Sequence, residues 1–346
     1  YALSFLNSSL FFPVIEMDGR FQTSISEGTI ISIITLTGNR TILPVAFCWA
    51  PSEDEKSTDM LLNLIGDMQH KIKSCITDES PALVGSIEKT SIASLLCTWH
   101  MSKHCPDKKM FNSLVNARTS FEYETIKQEI IDHHPELNDY LNRSEHWQKI
   151  SRFENNIPRD QNMTSSAVES LNSLIARSNQ KKREPLDVFK FLYDIGFNSL
   201  VRINSQKGIL TDSVREWLNF AMPVANNLFV QQAQFLPYKF EVSKDHDPET
   251  QCTVLILPEK LPTCTCMFSH DCGMPCVHIL SVACKFDYDW TAWIHPRYFV
   301  SNYNMQFGCM LEYPDFDRVI KTNNDLPCKI CSLKQRQKRI PTPGEK

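Results

Sequence analysis

Residues 11–49 run FFPVIEMDGRFQTSISEGTIISIITLTGNRTILPVAFCW. Three pieces of this stretch, Phe11–Met17, Thr29–Leu36 and Thr41–Trp49, are dense in β-branched and aromatic residues. Thr37-Gly38-Asn39 supplies a tight turn between the last two, and the pattern predicts a β-meander. Working outward, Met60, Leu61, Leu64, Ile65 and Met68 recur at helical spacing and predict a helix over Met60–Ile72. A short strand, Lys73–Thr77, follows. A second helix is expected from Ser80, with Pro81 at its favoured first position and Leu83, Val84 and Ile87 on one face. Ser91–Trp99 then reads as a strand. Three strands followed by helix, strand, helix, strand predict an α/β fold with a mixed sheet, its fourth and fifth strands parallel to the first.

Beyond that core the pattern changes twice. Lys108–Asn156 is charged, aromatic and helical in character, so 108–159 is expected to be an all-α insertion. Helices over Thr164–Arg177, Pro185–Ile195 and Val214–Val230 then continue a core spanning 10–107 and 160–230. Strand character returns over Tyr238–Leu257 and leads into a dense Cys/His cluster, a second, small unit at 238–300. The tail, 320–346, is polar, ends basic and is expected to be flexible.

Composition narrows the classes. The chain has 346 residues, 42% hydrophobic and 22% charged. That is enough for a buried core and excludes a disulfide-stapled miniprotein or wholesale disorder. The net charge of −4 means that any nucleic-acid binding must be local. Apolar runs such as Ile30–Leu36 fall far short of the roughly 20 residues of a membrane-spanning helix, so no membrane partner is expected. A first residue of Tyr1 rather than Met leads us to expect a fragment. The cysteines number 13, an odd count with several at metal-ligand spacing, which points to zinc in a reducing compartment.

The zinc candidates are Cys264-Thr265-Cys266 and Cys276-Val277-His278, pairs of form C-x-C and C-x-H joined by a turn-rich link. Four such ligands suit a closed tetrahedral, structural zinc ion. His270 and Cys272 are neighbours that could substitute, and buried packing is the alternative for the cysteines.

Three acidic positions stand out. Asp18 is expected to end the first strand and Asp78 the fourth, while Glu169 lies on a helix after the insertion. Neighbouring first and fourth strands would bring both aspartates together, and a packed helix could deliver Glu169. Carboxylates that close resist ionisation unless divalent cations neutralise them, which is the arrangement of two-metal phosphoryl transfer. Each has a plainer reading: an Asp18-Gly19 turn, a helix-start role for Asp78, and a capping box from Ser166 to Glu169. Val168, Leu171 and Ile175 form the apolar stripe of that helix, leaving Glu169, Asn172 and Ser173 on an adjoining polar face.

The strings Met17-Asp18-Gly19-Arg20-Phe21, Ile76-Thr77-Asp78-Glu79, Cys97-Thr98-Trp99-His100 and Ala167-Val168-Glu169-Ser170-Leu171-Asn172, followed by C-x-C and C-x-H, together resemble a Mutator-like element (MULE) transposase. The resemblance spans Phe11 to about Asp315. It implies an RNase H-like core with an α-helical insertion, then a SWIM zinc finger. It also implies a DDE triad, Asp18, Asp78 and Glu169, binding two Mg²⁺ or Mn²⁺ for nicking and strand transfer, beside one structural Zn²⁺. The partner would be DNA, as element ends and target, with a homo-oligomer assembling on it in the nucleus. A transposase-derived transcriptional regulator without catalysis is the alternative, and a protein-interaction module is a third.

Cys97 and His100 match the family's C-x-x-H motif, for which DNA positioning is expected. They could instead join His104 and Cys105 in a second zinc site, or be ordinary core. With Trp99, Arg177, Lys181, Lys182 and Arg183 they complete the DNA-contact candidates, a solvated face being the alternative for the basic run. Two features depart from the family. Glu79 adds charge beside Asp78, and the tail offers Lys334-Gln335-Arg336-Gln337-Lys338-Arg339 in place of a Gly-Arg-Pro stretch.

Overall fold

A computed structural model describes residues 5–23, 27–117, 119–142, 149–151, 157–160, 166–178, 184–247 and 251–307. Its centre is a five-stranded sheet built from β1 (Val14–Gln22), β2 (Gly28–Leu36), β3 (Ile42–Ala50), β4 (Ser74–Thr77) and β5 (Ala93–Leu96), in the order β3-β2-β1-β4-β5. The meander β1-β2-β3 is antiparallel, and β4 and β5 run parallel to β1. The fold is therefore mixed α/β with a mixed sheet. Two crossover helices make the parallel connections, α1 (Glu55–Ile65) and α2 (Pro81–Glu88). The first begins earlier than its apolar spacing suggests because Asp54 caps it, accepting from Ser57 N. It also ends earlier, at Gly66, whose φ of 56° stops the α-helix before a 3₁₀ turn.

Strand β2 is buried on both faces, which explains its nearly unbroken apolar sequence. Ile31 and Ile33 join Ile15, Met17, Leu61 and Leu83 on one side. On the other, Ile30 and Ile34 meet Val168, Leu171 and Ile175 of the helix Ser166–Arg177 and Val188 and Leu192 of the helix Pro185–Asn204. Each fully buried Ile or Leu contributes about 2 kcal/mol, so both layers are firmly held to the sheet.

Three helices that carry no strand between them, α4 (Lys108–Val115), α5 (Ser120–His133) and α6 (Asn138–Leu141), follow the short α3 (Thr98–Ser102). They form their own small core around Phe111, Leu114, Tyr123 and Ile130. Next come α7 (Ser166–Arg177), α8 (Pro185–Asn204) and α9 (Asp212–Asn226). The expected helix over Val214–Val230 is corrected here. Helix α9 stops at Asn226, and Phe229 and Val230 enter β6 (Phe229–Ala233), paired with Ser243 and Val242 of β7. A β-branched and an aromatic residue went to the strand that tertiary pairing offered.

The C-terminal unit is an antiparallel sheet, β6-β7-β8-β9, with β7 at Leu236–Ser243, β8 at Cys252–Leu255 and β9 at Thr263–Cys264. The short helix α10 (Phe268–Cys272) and then α11 (Val277–Phe286) complete it, while α12 (Val300–Phe307) packs back into the core, where Tyr303 and Phe307 join Phe5, Leu200 and Ile203. A buried clamp fastens this unit to the core. The Arg297 guanidinium, fully buried, donates from Nη1 to Asp160 Oδ2 at 3.0 Å and from Nη2 to the Cys272 carbonyl at 3.1 Å. Asp160 also accepts from Arg40, on the turn between β2 and β3, at 2.9 Å. Gly38 lies in the same turn, and a Cβ there would sit 1.8 Å from the Arg297 carbonyl oxygen, so only glycine permits the approach.

Candidate functional site

The acidic positions are placed by where the strands stop. Asp18 does not end its strand, as the sequence suggested. Strand β1 runs on to Gln22, paired with β2 as far as Gln22↔Gly28. The shorter β4 pairs with β1 only over Val14–Glu16. Asp18 therefore emerges just beyond the reach of β4, and Asp78, the residue after β4, occupies the space next to it. The functional break is the end of the neighbour, and no periodicity within β1 marks it.

Two further carboxylates take part, and neither was among the sequence candidates. Glu53, in the loop after β3, lies over Gly19 so closely that a Cβ there would sit 1.7 Å from its Oε2. It accepts from the Ser80 hydroxyl, while Ser80 N donates to Asp78 Oδ1 at 2.9 Å. Gly19 is thus the gap through which Glu53 approaches Asp18. The other is Glu16, 2% exposed, whose Oε2 accepts from Ala167 N at 3.0 Å and Val168 N at 2.9 Å. A carboxylate on the first amides of α7 meets their unpaired donors and the positive end of the helix dipole. Because β1 carries both Glu16 and Asp18 on one face, the strand that supplies one site carboxylate also anchors the helix that supplies another.

Helix α7 faces the site as its sequence pattern predicts. Val168, Leu171 and Ile175 are buried, Glu169 is half-buried and Asn172 is buried. Asn172 Nδ2 donates to Asp18 Oδ2 at 2.7 Å, and Gly19 N donates to Asp18 Oδ1 at 2.9 Å. Even so, burial first, then the charges of Asp78, Glu53 and Glu169, push the Asp18 carboxyl up to about 7. Burial, with Asp78 beside it, also raises Glu53. Desolvated carboxylates acting on one another in this way have excess negative charge.

Glu169 does not converge fully with the aspartates. Its carboxylate lies with Cys97 and His100, one ligand atom from each falling within 4.8 Å of the other two, whereas Asp18, Asp78 and Glu169 do not form so tight a set. His104 and Cys105 stay outside that group among the described residues. His104 Nε2 is 3.3 Å from Glu79 Oε2, and Cys105 Sγ donates to the Asp107 carbonyl. Glu79 also accepts from the Tyr140 hydroxyl at 3.3 Å, which turns its charge towards α6. Cys97 is core, packed with Phe12, Val14, Ile76 and Leu95. Trp99 is 46% exposed, with Lys103 Nζ 3.4 Å from its ring centroid. Arg177 is exposed on α7. Lys181, Lys182, Arg183 and the tail from 320 lie outside the described residues.

The soft cluster is tighter. One atom each of Cys264, Cys266, Cys276 and His278 falls within 4.8 Å of the others, and this quartet could hold a zinc ion. Cys264 Sγ and His278 Nδ1 are 3.7 Å apart, close to the edge of about 3.6 Å that zinc bonds of about 2.3 and 2.1 Å set in a tetrahedron. Left-handed backbone at Met267 and Gly273 folds the link between the pairs. Cys276 caps α11, which puts His278 in its first turn. Of the two possible substitutes, Cys272 is buried with its Sγ on the Phe268 carbonyl, and His270 is exposed. Cys252, at the start of β8, lies against Cys264 and His278. Twelve residues upstream of Cys264, it shows no ligand spacing in the sequence.

Compared with known proteins, the chain matches no protein-family model and no curated protein.

Proposed function

We propose that this chain is the catalytic portion of a DNA transposase of the Mutator-like class, its sheet an RNase H-like core and its C-terminal unit a SWIM finger. The observation that carries this reading is the gathering of carboxylates around the half-buried Asp18, with Glu53 lying over Gly19, Asp78 just past β4 and α7 donating to Asp18 through Asn172, so that desolvation and its acidic neighbours raise Asp18 to about 7. The order β3-β2-β1-β4-β5, with acidic residues from β1, the end of β4 and α7, supports it.

The residues fit hard divalent cations. Asp18, Asp78 and Glu169 offer carboxylate oxygens, and their mutual repulsion is what bound cations relieve. Two Mg²⁺ or Mn²⁺ held there would activate water or a 3′-hydroxyl and stabilise the leaving oxygen. The chain's own side chains do the positioning. Asn172 and Gly19 N fix both Asp18 oxygens, Ser80 N fixes Asp78, and Glu16 holds α7 in register. Trp99 with Lys103 offers an exposed ring and a cation to a strand of DNA. Work on DNA ends and target, as a homo-oligomer in the nucleus, is part of the same proposal.

One observation favours the second reading, a non-catalytic DNA-binding regulator of transposase origin: Glu169 lies with Cys97 and His100 instead of closing on the aspartates. Nicking of supercoiled plasmid separates the two. Purified protein with Mg²⁺ or Mn²⁺ is expected to nick, with chelator not to, and Glu169→Gln to fall about a thousandfold, or about 4 kcal/mol of barrier. A folded, zinc-loaded protein that binds DNA and leaves plasmid intact favours the regulator.

A further inference from the structure

The neighbours of Glu169 form a site of different chemistry from the carboxylates. Strand β5 ends at Leu96, and Cys97 leads directly into α3, placing His100 three residues on and on the same side of the turn. Helix α7 brings Glu169 against that side. His100 Nδ1 is 3.5 Å from Glu169 Oε1. That is long for a hydrogen bond but matches the edge of about 3.4 Å between two ligand atoms bonded at about 2.1 Å to a tetrahedral ion. His100 Nδ1 is sealed from solvent and makes no hydrogen bond. A buried, unsatisfied ring nitrogen is uncommon and calls for a partner.

We propose that Cys97 Sγ, His100 Nδ1 and a Glu169 carboxylate oxygen bind a thiophilic divalent cation of the zinc class, with its fourth position open. The donor set is one thiolate, one imidazole and one carboxylate. The sulfur selects against Mg²⁺, and two negative ligands balance a +2 ion. Binding releases the Cys97 thiol proton to solvent, with no redox step. The ion enters from the side of His100 and Glu169, both partly exposed, because Cys97 is closed off by Phe12, Val14, Ile76 and Leu95. Asp78 is near enough to act on His100 as Glu169 does, so the site borders the acidic residues. Resting on the transposase reading, one consequence follows: a zinc-class ion here withdraws Glu169 from Asp18 and Asp78, so that zinc antagonises the hard cations.

Metal content tests the site without any assay of activity. The full chain is stripped and reloaded with Zn²⁺ or Co²⁺, beside Cys97→Ala and His100→Gln, with folding checked by near-ultraviolet circular dichroism. Wild type is expected to hold one equivalent more than either variant, with affinity for that equivalent at least about tenfold weaker once a ligand is lost, while the finger keeps its ion in all three. Equal metal content and equal Co²⁺ spectra in three folded proteins overturn the site. His100→Gln keeps the test sound if Cys97→Ala disturbs the core. In the nicking arm, each protein's rate with zinc is divided by its own rate with Mg²⁺ alone. The ratio should fall well below one for wild type and stay near one for Cys97→Ala; equal ratios overturn the antagonism. Absence of nicking in every protein counts against the transposase reading and leaves the metal count to decide the site.

Discussion

The carboxylates around Asp18 and the thiols around Cys264 are built on opposite plans. The thiol cluster draws four ligands from one short segment, folded by its own turns and a helix cap, with one atom of each within 4.8 Å of the others. The acidic cluster collects Asp18, Glu53, Asp78 and Glu169 from one strand, two loops and a helix, and keeps them partly open. The difference teaches what each plan asks of the fold. A closed soft shell belongs to folding and is complete with one ion. Repelling carboxylates beside solvent are kept by the fold at a cost in stability, which makes sense when something charged is to arrive.

The largest effect should come from breaking the closed shell. Cys276→Ser is expected to lose zinc and most of the metal's contribution to the C-terminal unit, about 10 kcal/mol on the scale of isolated fingers. Zinc content and loss of the cooperative unfolding of that unit measure it. A variant as stable and as zinc-rich as the parent would mean that Cys252 or another group completes the shell.

Next is the clamp between the two regions. Arg297→Leu leaves the buried Asp160 carboxylate with Arg40 as its remaining cation and should cost about 3 kcal/mol in denaturant unfolding, with the carboxylates of the core untouched. If unfolding then splits into two transitions, the finger unit and the core are separate cooperative units joined by that pair.

The acidic cluster gives a pH signature of opposite sign to an ordinary ion-paired carboxylate. Asp18 takes up its proton at about 7 when folded and near 3.8 when unfolded, so the folded state binds more protons between those values. Without metal, stability should therefore fall as pH rises from about 4 to about 7, by at most about 4 kcal/mol. Asp18→Asn should flatten the slope, and Mg²⁺ should restore stability at high pH to the wild type only. Melting temperature against pH, with chelator and with Mg²⁺, reads all three. A metal-free protein whose stability rises over that range contradicts the repulsion on which the proposed function rests.

The smallest effect sharpens the border of the site. Glu79 faces His104 and Tyr140, so Glu79→Gln should change stability by less than about 1 kcal/mol and nicking by less than about threefold. A larger loss of nicking would place Glu79 among the working carboxylates.

The sequence made the architecture legible because its strands are short and strongly patterned. The meander, the second crossover helix and the apolar stripe of α7 lie close to where periodicity put them, while the first crossover helix is shifted several residues towards the N-terminus, to Glu55–Ile65. The four soft ligands were legible because chain spacing and spatial spacing coincide in a C-x-C and C-x-H. The acidic site was only partly so. Asp18 could be flagged but not placed, since its position depends on where a different strand ends. Glu53 shows itself only once Gly19 is seen to give it room, and Glu16 reads from the sequence as a stray charge in a buried strand. The lone pairs of Glu16 are used by a helix that follows about 150 residues later, and no local window contains that information. Val230 failed for the related reason that β7, not its own neighbours, decides its conformation.

The bond from Glu16 to the start of α7 bears on how such a chain can change over generations. The helical excursion between α3 and α7 need not aim the latter, because a side chain on β1 already holds its first amides. Loop-closure cost grows only slowly with length, each doubling adding roughly 0.6 kcal/mol. Whole helices between those positions can thus be gained, lost or exchanged while Glu169 keeps its address, which leaves that excursion free to diversify around a fixed centre.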